Sequence, residues 1–352
     1  MAGSAGKETE VLEKAAHIGM RLEDRWQAFR ERRARGRGDV AHVLPFTGYG
    51  TAGWIRVLGR VVVAREGAFE RGLVSSKLVA DGIRGWRNFI SPPVANAKVT
   101  VEVNGVRHEA VADRGGVVDA RIQVELPEGR NTVVLTCEDS DPSEAVVHIF
   151  PRDIRFGVVS DVDDTVMVTA LPRPFLAAWN TFVLDEHART ATPGMAVLMD
   201  RIARSNPGCP VLYLSTGAWN VAQTLTRFLS RNLYPDGALL LTDWGPTHDR
   251  WFRSGQQHKQ DELVRLAQEF PQVKWLLIGD DGQHDEAIYA GFARRFPEHV
   301  AAIAIRQLST REAVLAGGRS HEPAKMPEVP WIYAPDGAGI AQQLRELGIL
   351  AD

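Results

Sequence analysis

The chain has 352 residues, 44% of them hydrophobic and 24% charged, and a formal net charge of −3 at pH 7. That length favours two domains, and the balance is ordinary for a globular protein, with no global positive field for nucleic acid. No apolar run approaches the ~20 residues of a membrane span, and Met1 to Glu10 lacks the apolar core of a signal peptide. Cys137 and Cys209 lie far apart and are expected to be reduced, buried thiols. The expectation is a cytoplasmic protein, peripheral at the membrane if it handles lipid.

In chain order, residues 8–33 carry Val11, Leu12, Ala15, Ile18 and Leu22 at the spacing of one helical face. A basic patch follows at Arg30, Arg32, Arg33, Arg35 and Arg37, broken by Gly36 and Gly38. It reads as a solvated helix end and linker, or as a surface for anionic headgroups or phosphates. Residues 1–40 therefore form a helix and basic linker.

Residues 41–152 change character. Strands are expected at Trp54–Leu58, Val61–Val63, Lys98–Val103, Val117–Val124, Asn131–Cys137 and Glu144–Phe150. Asn104-Gly105 between two such runs is a hairpin signal, and the spacing suggests a small β-sandwich. Gly48-Tyr-Gly-Thr-Ala-Gly53 matches a dinucleotide-binding pattern. That pattern needs a strand before it and a helix after it, but strand-like sequence follows. A turn or a close backbone approach is the better reading.

From residue 153 to 352 strand and helix alternate. Phe156–Val159, Val211–Leu214, Ala238–Leu241, Lys274–Ile278 and Ala301–Ile305 read as short buried strands. Helices are expected at Gly194–Arg204, Trp219–Arg231, Gln257–Glu269, Glu286–Arg295 and Gly337–Leu347. Such alternation implies an α/β unit with a parallel sheet covered by helices. Its site should lie beyond the carboxyl ends of the strands.

Polar residues gather at those ends. The first strand runs into Asp161-Val-Asp-Asp-Thr165, the second into Ser215-Thr-Gly217 and a later one into Gly279-Asp-Asp281, with Lys259 near the start of a helix before it. Along a strand Asp161 and Asp163 project to the same side. Two adjacent carboxylates repel each other and resist desolvation, and a bound cation relieves both. Asp164 faces away and suits the turn. Asp281 suits a capping or supporting role. His258 and His284 are expected to be neutral, since neither has zinc-ligand spacing to another His or Cys.

The order of these motifs resembles the haloacid dehalogenase-like phosphatases. More narrowly, Asp161-Val-Asp-Asp-Thr165, Leu212-Tyr-Leu-Ser-Thr-Gly-Ala-Trp219 and Ile278-Gly-Asp-Asp-Gly-Gln-His-Asp-Glu-Ala-Ile-Tyr289 resemble the actin-patch phosphatidate phosphatase family and its bacterial relatives. Trp179-Asn-Thr-Phe182 and Thr192-Pro-Gly-Met195 fit the same family. The resemblance covers about residues 150–320. It implies a Rossmann-like parallel sheet of the haloacid dehalogenase type, after a small β-sandwich domain and an N-terminal helix. Asp161 would be the nucleophile that forms an aspartyl-phosphate, and Asp163 the general acid and then base. Asp161, the Asp163 main-chain carbonyl and Asp280 would hold Mg²⁺. Ser215 and Lys259 would contact the transferring phosphoryl group. Thr216, Gly217 and Asp281 depart from the family pattern, which bears on substrate choice.

Little sequence is left for a cap over the site. Val166–Thr192 remains as a flap with Leu171, Phe175, Trp179 and Phe182, and Thr242–Gly255 as a loop with Trp244, Trp251 and Phe252. These aromatics, with Arg nearby, suit either a membrane interface or packing on the β-domain. The expected activity is hydrolysis of phosphatidic acid to diacylglycerol and phosphate. The alternatives are a phosphatase of soluble phosphomonoesters or phosphoproteins, and a non-catalytic lipid- or protein-binding module on the same fold.

Overall fold

Two large sheets organise the computed structural model, which describes residues 25–65, 91–138, 140–168, 190–242, 248–282, 284–315, 318 and 329–351. A helix over residues 25–35 (α1) precedes the first sheet. Its Ala34 is fully buried in the interior of that sheet. The rest of the helix expected over 8–33 lies outside the described residues.

The first sheet contains β1 (Val40–Thr51), β2 (Trp54–Ala64), β3 (Lys98–Val103), β4 (Val106–Val111), β5 (Val117–Gln123), β6 (Gly129–Cys137) and β7 (Ser143–Phe150). Their order is β4-β3-β6-β7-β1-β2-β5. All neighbours are antiparallel except β1 and β7. The expected sandwich thus takes the form of one hydrogen-bonded sheet whose edge strands β4 and β5 meet. The reason is β1, which the sequence pattern does not announce: it pairs with β2 on one side and β7 on the other, joining the two halves.

The glycines that mimic a dinucleotide motif lie inside β1. The register shifts between Phe46 and Tyr49, and a Cβ on Gly50 would collide with the Trp54 carbonyl and approach the Ile55 Cα to 2.8 Å. Close backbone approach in a bulged hairpin accounts for them. Asn104 and Gly105 take φ of 50° and 78°, as a tight β3–β4 hairpin requires.

Alternating residues of the first sheet face two cores. Val57, Val61, Val101, Val118, Leu135 and Val147 fill its own interior. Phe46, Tyr49, Trp54, Leu58, Val62 and Phe150 face outward into the core of the second unit. Phe46 stacks on Trp219 at 5.3 Å, and Tyr49, Trp54 and Phe150 surround Phe270 at 6.0, 5.6 and 6.1 Å. The two units share one apolar core across this face. Cys137 and Cys209 are both free and buried.

The second unit starts with β8 (Phe156–Asp161). Then β9 (Met167–Val168) pairs antiparallel with β10 (Thr190–Ala191), a short stem for the expected flap; residues 169–189 lie outside the described residues. There follow α2 (Met195–Ser205), β11 (Val211–Ala218), a 3₁₀ turn at Trp219–Val221, α3 (Ala222–Arg231), β12 (Ala238–Thr242), α4 (His248–Glu269), β13 (Lys274–Asp280), α5 (Asp285–Arg295), β14 (Val300–Arg306), α6 (Thr310–Leu315), β15 (Trp331–Ala334) and α7 (Gly337–Glu346). The sheet order is β12-β11-β8-β13-β14-β15, and every neighbouring pair is parallel. β8 is central, and the chain leaves it to one side for β11 and β12 and to the other for β13 to β15. The crevice at its carboxyl end is therefore the expected position for a site.

One expected helix changes. α4 begins at His248, not near Gln257, so Lys259 sits mid-helix and only 243–247 of the expected loop Thr242–Gly255 stays outside the described residues. Gly255 reads as a helix breaker, but a Cβ there would come within 3.0 Å of Thr216 Cγ2, so it lets α4 approach the strand-end loop.

Candidate active site

Asp161 ends β8, where its neighbours are Leu214 of β11 and, one residue back, Ile278 of β13 opposite Ser160. The chain then turns. Asp164 adopts φ 56°, and its carbonyl accepts a 2.6 Å hydrogen bond from Arg306 Nη1. The left-handed turn explains an acidic residue at this point, since Asp tolerates that conformation better than most side chains.

Lys259 comes in from α4. Its Nζ donates to Asp161 Oδ1 and Asp285 Oδ1, both at 2.6 Å, and all three side chains are buried. Asp285 opens α5. Gly279 makes room for it: a Cβ there would lie 2.6 Å from Asp285 Oδ2. Asp280 completes the group, with its Oδ1 accepting from the Gly282 N–H at 2.6 Å. Carboxylate oxygens of Asp161, Asp280 and Asp285 all lie within 4.8 Å of one another.

Asp163 points elsewhere. Its Oδ2 accepts a 3.0 Å hydrogen bond from Ser215 Oγ, which itself accepts from the Gly217 N–H at 2.9 Å. Ser215 is fully buried at the end of β11. The five residues expected at the site thus converge as two connected sets: Asp161, Lys259 and Asp280 in one, and Asp163 with Ser215 in the other. Asp285 joins the first set, although the sequence reading gave it no role. Its only signal is an acidic residue five positions after Asp280, at a helix start where acids are common for other reasons.

Electrostatics match this crowding. Burial, then the neighbouring Asp285, Asp163 and Asp280, hold Asp161 well above the usual carboxylate range against the pull of Lys259. Burial and Asp285 raise Asp280 in the same way. Burial alone would lower the Lys259 ammonium; Asp161 and Asp285 reverse this and hold it well above its ordinary value. The Lys supplies one positive charge to an oxygen cluster that carries an excess of negative charge. Such a hard, all-oxygen cluster is the donor set that a divalent cation like Mg²⁺ prefers.

Asp281 Oδ1 accepts from the Leu308 N–H at 2.8 Å, which fixes the loop after β14. Burial lowers His258 to about 4, which keeps it neutral near pH 7. Trp244 and the flap aromatics lie outside the described residues.

The architecture and site define an α/β protein with a buried, lysine-bridged acidic centre at its strand ends. Residues 156–307 match the family model described as the catalytic domain of phosphatidate phosphatase APP1. Those residues are similar to that catalytic domain. It is 21% identical to phosphatidate phosphatase APP1 of Saccharomyces cerevisiae over 271 residues, 73% of this chain and 45% of the yeast protein. It is 24% identical to an uncharacterized protein of Schizosaccharomyces pombe over 49% of this chain and 28% of that one. The chain thus spans less than half the length of these curated relatives. Among solved structures, a carbohydrate acetylesterase from Xanthomonas citri aligns with 76% of this chain and 68% of its own, at 11% identity and a TM-score of 0.27, too low to bear on fold or activity. Among the described residues no helix is long and apolar enough to cross a membrane.

Proposed function

We propose that this protein is a phosphatidate phosphatase that works through an aspartyl-phosphate on a haloacid dehalogenase-like domain, residues 153–352. The observation that carries the reading is the convergence of Asp161, Lys259, Asp280 and Asp285 at one strand end, with Ser215 hydrogen-bonded to Asp163 beside them. A purely binding module needs neither two separately oriented acids nor a buried ammonium.

In this reading an Asp161 oxygen attacks phosphorus, and the bond from phosphorus to the diacylglycerol oxygen breaks. Asp163 delivers a proton to that departing oxygen. A water then attacks the aspartyl-phosphate and gives its proton to Asp163. The bond to Asp161 breaks, releasing phosphate and restoring the Asp161 carboxylate and the protonated Asp163. Ser215 orients Asp163 and, with Lys259, contacts the phosphoryl oxygens. Asp161, Asp280 and the main chain of Asp163 would hold Mg²⁺, with Asp285 beside them as a further ligand or a partner for Lys259. The ion, when bound, neutralises charge on the transferring group.

The substrate follows from the relative's name, phosphatidate phosphatase. It lies in a bilayer, so the protein would act from the cytoplasm at a membrane surface. The test is phosphate release from phosphatidate by wild type and Asp161→Asn side by side, with and without a Mg²⁺ chelator. Wild type should be active only with Mg²⁺, and Asp161→Asn should fall by at least about 10³-fold while staying folded. An active Asp161→Asn protein would sink the mechanism. Turnover of soluble phosphomonoesters with none of phosphatidate would sink the substrate.

A further inference from the structure

We infer that α1 is a docking element for anionic phospholipid bilayers; the choice of a bilayer as partner rests on the phosphatidate reading, but the binding itself does not require turnover. Trp26 is 59% exposed and Phe29 49% exposed, and their rings stack at 5.9 Å. At ~100° per residue, Arg25, Phe29, Arg33, Trp26 and Arg32 fall on one outward arc of about 120°. Arg25, Arg32 and Arg33 are all exposed on it. Among the described residues none of these three takes part in an ion pair. The one acid in the helix, Glu31, is on the other side and accepts from Arg35 Nε at 2.9 Å.

The inner side of α1 is fixed. Ala34 is fully buried, and Arg35 Nη1 and Nη2 donate to both oxygens of Glu138 at 2.9 Å. The helix is thus held firmly while its outward arc carries two stacked aromatics among arginines and no acid. A rigid protein partner would need shape complementarity. A fluid anionic interface does not: rings enter at headgroup level and guanidinium groups meet phosphates.

The direction of β1 puts this arc at the useful end. Phe46 stacks on Trp219, just past the carboxyl end of β11, whereas Tyr49 meets Phe270, shortly before the start of β13. Thr51 pairs with Phe150, before the start of β8. β1 therefore runs from the active-site end of the parallel sheet toward the opposite end. α1 feeds its first residue, so it stands on the active-site side, and a bilayer meeting α1 also lies on the side of the strand ends that carry Asp161.

The test uses the full chain and vesicles of phosphatidylcholine, with or without phosphatidylglycerol, an anionic lipid that is not the substrate. Wild type should sediment with the anionic vesicles and not with phosphatidylcholine alone. Arg25→Ala/Arg32→Ala/Arg33→Ala should lower partitioning by about a hundredfold, at roughly fivefold per arginine. Trp26→Ala/Phe29→Ala should lower it as well. Both variants should hydrolyse a water-soluble phosphate ester like wild type and vesicle phosphatidate more slowly. Wild type that ignores anionic vesicles, or variants that bind them unchanged, would overturn the assignment. So would a wild-type dimer that these substitutions dissociate, because the arc would then be covered by a second copy. Vesicle binding without any phosphate release would instead remove the phosphatase reading and leave the docking face in place.

Discussion

At the ends of β8 and β13 a single ammonium, Lys259, faces Asp161, Asp280 and Asp285. At the seam between the two sheets, Arg56 and Arg265 face Asp119, Glu269 and Glu262. There Arg56 grips Asp119 with two nitrogens at 2.5 and 2.7 Å and reaches Glu269 at 2.7 Å. Tyr49 donates to the second oxygen of Glu269 at 2.8 Å, and Arg265 contacts Glu262 and, at 3.3 Å, Asp119. Both regions are polar chains at the edge of an apolar core. In the seam two guanidinium groups serve three carboxylates, each of which accepts from at least one of them, and the product is rigidity. At the strand ends three acids share a single ammonium, Asp161 and Asp280 are pushed up, and the surplus oxygens remain available to a cation or a phosphoryl group. An unbalanced buried cluster costs stability and persists where chemistry needs it.

The largest expected effect breaks that imbalance further. Lys259→Met leaves Asp161 and Asp285 buried without their shared cation. Removing one partner of a buried pair costs about 3–5 kcal/mol, and urea unfolding in the absence of Mg²⁺ reads it directly. Added Mg²⁺ should recover part of the loss, since a divalent ion can replace the ammonium. A loss below about 1 kcal/mol would mean that the cluster protonates readily and that the surplus charge is not held there.

The seam should respond in stability alone. Arg56→Met strands Glu269, whose side chain is only 5% exposed, with Tyr49 as its remaining partner among the contacts above. The expected cost is about 2–3 kcal/mol. The folded fraction should keep its rate of phosphate release. A large fall in rate at full folding would show that the seam holds α4, and hence Lys259, in register, and the contrast between the two regions would narrow.

What could be read in advance divides along the same line. Five of the six parallel strands were legible from Val-Val, Leu-Tyr-Leu and Leu-Leu-Ile runs buried on both faces; β15, at Trp331–Ala334, was not read. Asp161, Asp163, Ser215 and Asp280 were legible because each follows such a run at a strand end, and Lys259 through the family resemblance. Asp285 was hidden by its place in a helix's first turn, and the true start of α4 by Gly255 among polar residues. β1 was hidden by its bulge, which breaks alternation, and by glycines that serve backbone contact. The seam had no sequence signal: Arg56 and Glu269 are 213 residues apart and meet only once the fold exists.

The smallest effect tests the residue that makes the opening acidic run look most reactive. Asp164 lies between the two regions in character: it is an acid beside the cluster, and its carbonyl accepts from Arg306. Its φ of 56° costs a non-glycine residue about 1 kcal/mol, and its charge adds to the pressure on Asp280. Asp164→Gly removes both penalties and keeps the carbonyl, while the freer unfolded chain takes back about 0.5–1 kcal/mol. Stability should therefore change by less than about 1 kcal/mol, and phosphate release should persist. A collapse of activity on this substitution, with the fold intact, would move Asp164 from the turn into the chemistry and require a fourth carboxylate in the cluster's balance.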